Sequence, residues 1–156
     1  MESKTASPET VRSPHAAAAV TFDWSRKFEA QPNTPQLARL HGRTRLTMAR
    51  WRGNQEAAVV VAGLLTANAV VHANPGPLGD RRCIGLRLAV TEADELLIDV
   101  SDPLPQFPDF AAAAAGERGR GLWQVARLGC DLTWFLTDDG DGKIVRARMT
   151  VSPVPA

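Results

Sequence analysis

The 156-residue sequence predicts an α+β domain in which helices lie on one face of a mostly antiparallel, mixed sheet. Three observations predict this fold class. One strand-like segment opens the ordered part of the chain, two helical segments follow it, and the later strands come in pairs joined by short turns. The predicted order is strand, helix, helix, strand, strand, loop, helix, strand, strand, which is a two-layer sandwich.

The first predicted strand covers residues 20–30, where apolar and polar side chains roughly alternate. A helix follows, with Thr34 as its N-cap, Pro35 at its first position and Gly53 as its expected end. Its predicted core-facing stripe consists of Leu37, Leu40, Thr44, Met48 and Trp51. Five arginines lie off that stripe, at positions 39, 43, 45, 50 and 52. They suit nucleic acid or a partner, but a solvated helix face is favoured because the net charge is only +1.

The second helix is predicted to begin near Gln55 and to end before the breaker cluster at residues 74–77. The remaining predicted elements are strands over 83–92 and 95–102, a loop over 103–121, a helix over 121–130, and strands over 131–138 and 143–151. The DDGDG run between the last two strands lacks the ligand spacing and closing Glu of an EF-hand. It therefore predicts a hairpin turn.

Composition predicts a disordered tail over residues 1–19, rich in Ser, Thr, Pro and Ala, followed by one domain over residues 20–152. No segment approaches the roughly 20 apolar residues of a membrane span. Cys83 and Cys130 have no CxxC spacing, and reduced, buried thiols in a cytoplasmic protein are expected. The small net charge gives no bulk reason to expect nucleic acid or an anionic membrane.

Three polar features stand out in chain order. Asn68 lies on an apolar helix, Asp102 ends an apolar strand, and a glycine-rich run over residues 116–121 opens a helix. Each feature also has an ordinary explanation. Asn68 can simply be hydrogen-bonded within the fold, Asp102 can mark the end of a strand before a proline, and a glycine cluster alone is a weak motif. Together they fit a nucleotide. Backbone N–H groups at a helix start suit phosphate, and Arg118 and Arg120 add cationic donors. A carboxylate can accept a hydrogen bond from the amine of adenine, and a carboxamide can bind Mg²⁺.

Four motifs occur in a fixed order that resembles the GHKL ATPase superfamily. They are NAxxHA on a helix, D-x-x-P at the end of a strand, GRGL at the start of a helix, and GK before an apolar strand. This order is most similar to that of the small single-domain anti-sigma-factor serine kinases of actinobacteria. The resemblance covers about residues 22–150. It implies the Bergerat ATP-binding fold, bound ATP with Mg²⁺, and regulation by partner switching.

By this resemblance, Asn68 is the Mg²⁺ ligand, Asp102 contacts the adenine amine, and Gly119 with Gly121 forms the phosphate-side glycine box. The implied ATP-binding set is Asn68, Asp102, Arg118, Gly119, Arg120, Gly121 and Leu122.

The resemblance also implies a lid over residues 103–118, with FAAAAAG as its flexible or short-helical part. A structural role is expected for His72 and Ala73. Lys143 is predicted to be a turn residue rather than a ligand.

The sequence departs from the active kinases at Leu64, where they have a glutamate that acts as general base. The nearest upstream acid on the helix is Glu56, twelve residues before Asn68 and therefore about 18 Å away. No catalytic residue is predicted, and activity should be weakened. The DPLPQFP segment also lacks the superfamily's glycines, and Ile144 stands where a threonine is usual.

Two functions follow from the resemblance. The first is an ATP-binding regulator with residual serine kinase activity, and the second is a pseudokinase that acts only as an interaction module. The implied partner is a sigma factor, a small antagonist protein or another transcriptional regulator, and the sequence leaves open whether the chain forms a homodimer. A nucleic-acid-binding α+β domain is a third reading, disfavoured by the weak net charge and scarce aromatics.

Overall fold

The computed structural model describes residues 19–73, 82–105, 110–116 and 121–151. Its elements are β1 (Val20–Glu29), α1 (Thr34–Ala49), α2 (Gln55–His72), β2 (Cys83–Thr91), β3 (Leu96–Asp102), α3 (Phe110–Ala114), α4 (Gly121–Arg127), β4 (Asp131–Leu136) and β5 (Lys143–Met149). Apart from the short helix α3, this is the predicted order. The α+β class is confirmed.

The strands of the described residues form one five-stranded sheet with the order β1-β2-β3-β5-β4. Every neighbouring pair is antiparallel, so the prediction of a mixed sheet is wrong. Two hairpins, β2–β3 and β4–β5, are placed side by side through β3 and β5. Asp94 lies in the β2–β3 turn with a φ of 62°, a left-handed conformation that Asp tolerates better than most residues.

Alternate residues of the central strands pack into a single core with the helices. On β3 these are Leu96, Ile98 and Val100, and β2 and β5 contribute in the same way. Asp99 and Ser101 point to the opposite face because side chains alternate along a strand. The helices therefore lie on one face of the sheet, as predicted.

Helix α1 buries a different face from the predicted one. Its buried residues are Thr34, Ala38, Gly42 and Leu46, whereas Leu37, Leu40 and Met48 are 36%, 62% and 59% exposed. The reason is close packing on α2, because a Cβ added at Gly42 would lie 3.9 Å from the Cβ of Ala62. Small residues let two helices approach, so residue size rather than hydrophobicity selected the buried face.

The end of α1 also differs from the prediction. The helix ends at Ala49, where Arg50 adopts a left-handed conformation with a φ of 57°. Trp51 is buried as predicted, and its indole Nε1 donates a hydrogen bond to the Asp94 carbonyl oxygen at 2.8 Å. Gly53 does not cap the helix. A Cβ there would lie 2.2 Å from the Trp51 ring, so glycine leaves room for the indole.

The arginines near α1 make contacts within the protein. Arg43 pairs with Glu56 of α2 at 2.7 Å, and Arg52 pairs with Asp94. The Arg45 guanidinium lies 5.1 Å from the centre of the Trp24 ring. These contacts agree with a solvated helix face.

Helix α2 has 18 residues with a mean hydropathy of 1.3, which by length and composition alone is enough to cross a membrane. The expectation that no segment approaches a span therefore needs correction for this helix. Its apolar residues nevertheless pack inside the domain, against α1, α4, β3 and other elements. Those contacts are the ones a core helix makes.

The two thiols have different environments. Cys130 is buried as expected, and desolvation raises its pKa to about 11. Cys83, at the start of β2, is exposed, so the prediction of two buried thiols is wrong for this one. It begins β2 opposite Glu29, at the end of the β1–β2 ladder.

Candidate functional site

The polar face of α2 is the first part of the candidate site. The helix starts at an Asn54 cap, whose side chain accepts a hydrogen bond from the Ala57 N–H at 3.0 Å. Further along, Asn68 and His72 are half-buried and lie one turn apart, so they share a face. Thr66 points elsewhere. It is buried, and its hydroxyl has no hydrogen-bond partner among the described residues.

Asp102 is the second part. It ends β3 on the helix-facing side of the sheet, directly opposite Lys143 on β5. One carboxylate oxygen, Oδ1, accepts a hydrogen bond from Lys143 Nζ at 3.0 Å and another from the Leu104 N–H at 2.9 Å. The carboxylate is therefore engaged by the protein itself.

Lys143 is not a turn residue, which corrects the sequence prediction. It is the first residue of β5, and its side chain is 0% exposed against 1% for Asp102. Its ammonium also donates a hydrogen bond to the Leu104 carbonyl oxygen at 3.1 Å. A buried lysine is stable only if it is paired and hydrogen-bonded, and both conditions are met here.

The residue before Lys143 fixes the place of this pair. A Cβ added at Gly142 would lie 2.4 Å from the Asp102 carbonyl oxygen, so the β4–β5 turn can approach the end of β3 only with glycine at this position. The turn is closed by hydrogen bonds between Thr137 and Gly142. The DDGDG segment is thus a hairpin turn, as predicted, and no cluster of metal-binding side chains occurs in the described part of the chain.

His72 links the polar face of α2 to this pair. Partial burial lowers the pKa of His72, and the positive charge of Lys143 lowers it further, while Asp102 acts in the opposite direction. Helix α2 packs against β3 and also contacts β5. The structure therefore brings together one side of α2, the end of β3 and the start of β5.

The predicted phosphate side is only partly described. Gly121 is the first residue of α4, and the side chain of Leu122 is buried in the core with Val125. Leu122 can therefore reach a ligand only through its backbone. Arg118, Gly119 and Arg120 lie outside the described residues, so their predicted roles stay predictions.

The expected lid contains a short helix, α3, at the predicted FAAAAAG segment. α3 packs against α4. Gly116 follows it with a φ of 87°, and a Cβ there would lie 3.1 Å from the Trp123 ring. The described end of this segment is therefore in contact with the predicted glycine-box helix.

Leu64 has no catalytic chemistry. It is half-buried and packs against the core one turn before Asn68. Glu56 cannot replace the missing carboxylate, because its side chain pairs with Arg43 at the other end of the helix.

Sequence reasoning missed a network of charged residues on the face of the sheet opposite the helices. Arg146 makes two hydrogen bonds to Asp99, at 2.7 and 2.8 Å, and both residues are buried. Arg87 joins Asp99 to Asp23 on β1. No local pattern could reveal these contacts, because they depend on which strands are neighbours in the sheet.

A shallow hollow of about 330 Å³ lies beside this network, lined by Ser25, Lys27, Gly85, Arg87, Ser101 and Ile144 among others. Gly85 leaves the space open, since a Cβ there would lie 2.6 Å from the Ser101 hydroxyl.

No family model matches the sequence, and a comparison with curated proteins finds no match.

Proposed function

We propose that this protein is an ATP-binding regulator of the anti-sigma-factor kinase type, with a Bergerat-type site, that acts mainly through protein contacts. The observation that carries the proposal is the grouping of α2, β3 and β5. Asn68, His72 and Asp102 come from distant parts of the sequence, and the resemblance assigns the first and last of them to one nucleotide site.

Asn68 supports the magnesium part of the proposal. Its carboxamide is half-buried, so part of it stays accessible to a ligand. Magnesium takes few protein oxygens and keeps water and phosphate for its other positions. When bound, it would neutralise phosphate charge.

The adenine part fits less well. Asp102 would have to accept a hydrogen bond from adenine, but its carboxylate already accepts two hydrogen bonds from the protein. Both bonds go to Oδ1, and the Asp102 side chain is only 1% exposed, so binding of the base through this carboxylate requires the surroundings of the pair to open.

Efficient phosphoryl transfer is not part of the proposal. Leu64 cannot accept a proton, and a positioned general base typically contributes about 10²–10⁴-fold to the rate. Some transfer can remain, because phosphoryl transfer depends mostly on positioning and on stabilisation of charge.

The exposed face of α1 supports the regulatory part. Leu37, Leu40 and Met48 form an apolar stripe on a helix without acidic residues. Apolar residues grouped on a surface are typical of protein-binding sites. The same stripe favours the second candidate function, a module that binds a sigma factor, a small antagonist or another transcriptional regulator without any nucleotide.

Calorimetry with Mg²⁺ and a non-hydrolysable ATP analogue tests nucleotide binding. We expect the wild-type protein to bind, and Asn68→Ala to reduce the Mg²⁺-dependent part of the affinity. The absence of any heat or thermal shift at millimolar nucleotide would leave only the nucleotide-free module.

A second experiment tests the missing base. Leu64→Glu places a carboxylate one turn before Asn68, and ATP turnover or transfer to a cognate antagonist should then rise. If the variant binds ATP and remains as inactive as the wild type, Leu64 is not the cause of low activity.

A third experiment tests the partner surface. Leu40→Asp should weaken capture of the partner, whereas Val71→Asp, at a position 72% exposed on α2, serves as the matched control. Substitutions at such exposed sites usually change stability by about 0.5 kcal/mol or less, so the fold should be unaffected. Equal loss of capture in both variants would exclude α1 as the specific surface.

A further inference from the structure

We propose that Lys143 is an internal competitor for the nucleobase. Its ammonium group makes the hydrogen bond to Asp102 that the resemblance assigns to the exocyclic amine of adenine. The inference rests on the proposed nucleotide site. It adds a residue that sets both the affinity and the base selectivity of that site.

The geometry of the pair carries the first step. Lys143 Nζ lies 3.0 Å from Asp102 Oδ1, and Asp102 and Lys143 are directly opposed on adjacent antiparallel strands. An amine of adenine would donate to the same carboxylate. The lysine thus supplies the same kind of N–H donor from within the chain.

The ammonium has two advantages over a base. Its hydrogen bond is charge-assisted, and such bonds are roughly twice as strong as neutral ones. It also belongs to the residue that directly follows the β4–β5 turn, so it competes as an intramolecular group at a high effective concentration. A free nucleotide must displace the ammonium from Asp102 at the much lower concentration that the nucleotide has in solution.

The second hydrogen bond of Lys143 indicates that the ammonium serves the protein rather than a ligand. Nζ donates to the Leu104 carbonyl oxygen at 3.1 Å, and the side chain has no exposed surface. Asp102 accepts from the N–H of the same Leu104. Lysine and aspartate together hold the chain just after β3, where a base would have to enter.

This arrangement predicts how the wild-type protein responds to different bases. Inosine differs from adenosine in lacking the amine at position 6. If the buried pair with Lys143 keeps the Asp102 carboxylate from the base, ATP and ITP should bind with affinities within about twofold of each other. Removal of the ammonium should free the carboxylate and create a preference for ATP.

The test compares ATP and ITP binding, each with Mg²⁺, for the full-length wild-type protein, Lys143→Met and the double variant Lys143→Met/Asp102→Leu. Methionine keeps the length and apolar stem of lysine but has no ammonium. The double variant is the matched control, because it has neither the ammonium nor the carboxylate. Circular dichroism checks that each variant is folded.

We expect Lys143→Met to bind ATP at least tenfold more tightly than the wild type and to prefer ATP over ITP. The double variant should show no such preference. If Lys143→Met does not fold, the wild-type protein alone still decides, since a clear preference for ATP over ITP would overturn the inference.

Two other results would count against the inference in different ways. Unchanged ATP affinity in a folded Lys143→Met variant overturns it while leaving the nucleotide site in place. Failure of every variant to bind either nucleotide overturns the proposed function, and this inference with it.

Discussion

Strands β3 and β5 carry two buried ion pairs, one on each face of the sheet. Asp99 opposes Arg146 on the open face, and Asp102 opposes Lys143 on the face covered by helices. The Arg146 guanidinium contacts both carboxylate oxygens of Asp99, whereas the Lys143 ammonium contacts one oxygen of Asp102.

The two pairs also differ in what surrounds them. Asp99 has a second cation in reach, since Arg87 Nη1 lies 3.4 Å from Oδ2, and Arg146 stacks on the Phe135 ring at 5.0 Å. The partners of Lys143 include one carboxylate and one backbone carbonyl. A planar guanidinium suits a permanent, bidentate contact, while an ammonium on a flexible stem is a point charge that can be replaced. On this comparison, the Asp99–Arg146 pair suits a lasting link between strands, and the Asp102–Lys143 pair is the one that our proposal makes replaceable.

The largest expected effect is on the Lys143 pair. Lys143→Met leaves the Asp102 carboxylate buried without a cation, which typically costs about 3–5 kcal/mol of unfolding free energy. Urea unfolding measures the loss. The double variant Lys143→Met/Asp102→Leu should recover most of it, because an apolar pair needs no counter-charge. If the double variant is as unstable as the single one, the charge pair is not the cause.

A smaller effect is expected on the open face. Arg146→Met should lower the unfolding free energy by about 2 kcal/mol, since Arg87 stays close enough to compensate part of the Asp99 charge. Arg87→Met in the same background should then add a further loss that exceeds its effect in the wild type. Additive effects in this double-mutant cycle would contradict a shared network.

The pH dependence of stability should report on His72, on the helix-covered face. The pKa of His72 is lowered from 6.5, so the unfolded chain takes up a proton at pH values where the folded protein does not. Stability from neutral His72 is therefore full above pH 6.5 and declines as the pH falls toward the folded pKa. His72→Gln should remove this decline, as measured by urea unfolding from about pH 8 to 5. An unchanged pH profile in the variant would show that other groups cause it.

The smallest effect concerns reactivity rather than stability. With a pKa of about 11, Cys130 should be almost entirely protonated at neutral pH and should react slowly with a thiol reagent. The exposed Cys83 should react first, and Cys130 only after unfolding. Cys83→Ser provides the control. Rapid labelling of that variant in native buffer would mean that the edge near β4 opens locally.

Local features of the fold could be predicted from the sequence. The β2–β3 hairpin and the DDGDG turn each depend on neighbouring residues, and both predictions were confirmed. The start of α1 was predicted one residue late, since Asn33 rather than Thr34 is the N-cap and Pro35 is the second helical residue. The buried face of α1 could not be predicted, because Ala38 and Gly42 are buried only through their fit against α2. A rule based on hydrophobicity selects the leucines instead.

The candidate site shows the same division. Asn68, Asp102 and Leu64 could be selected as candidate positions from the order of residues along the chain, and their roles stay predictions. The pairing of Asp102 with Lys143 joins positions 41 residues apart and depends on the register of β3 with β5. Register is a property of the assembled sheet, so a lysine next to a turn looked like an ordinary surface residue.

Gly142 gives this site an unusual dependence on a residue without a side chain. Any Cβ at this position would collide with the Asp102 carbonyl oxygen and push the start of β5 away from the end of β3. The distance between the Lys143 ammonium and the Asp102 carboxylate therefore depends on the absence of a side chain at Gly142. A change as small as Gly142→Ala would alter the electrostatics of the site without altering any of its charged residues.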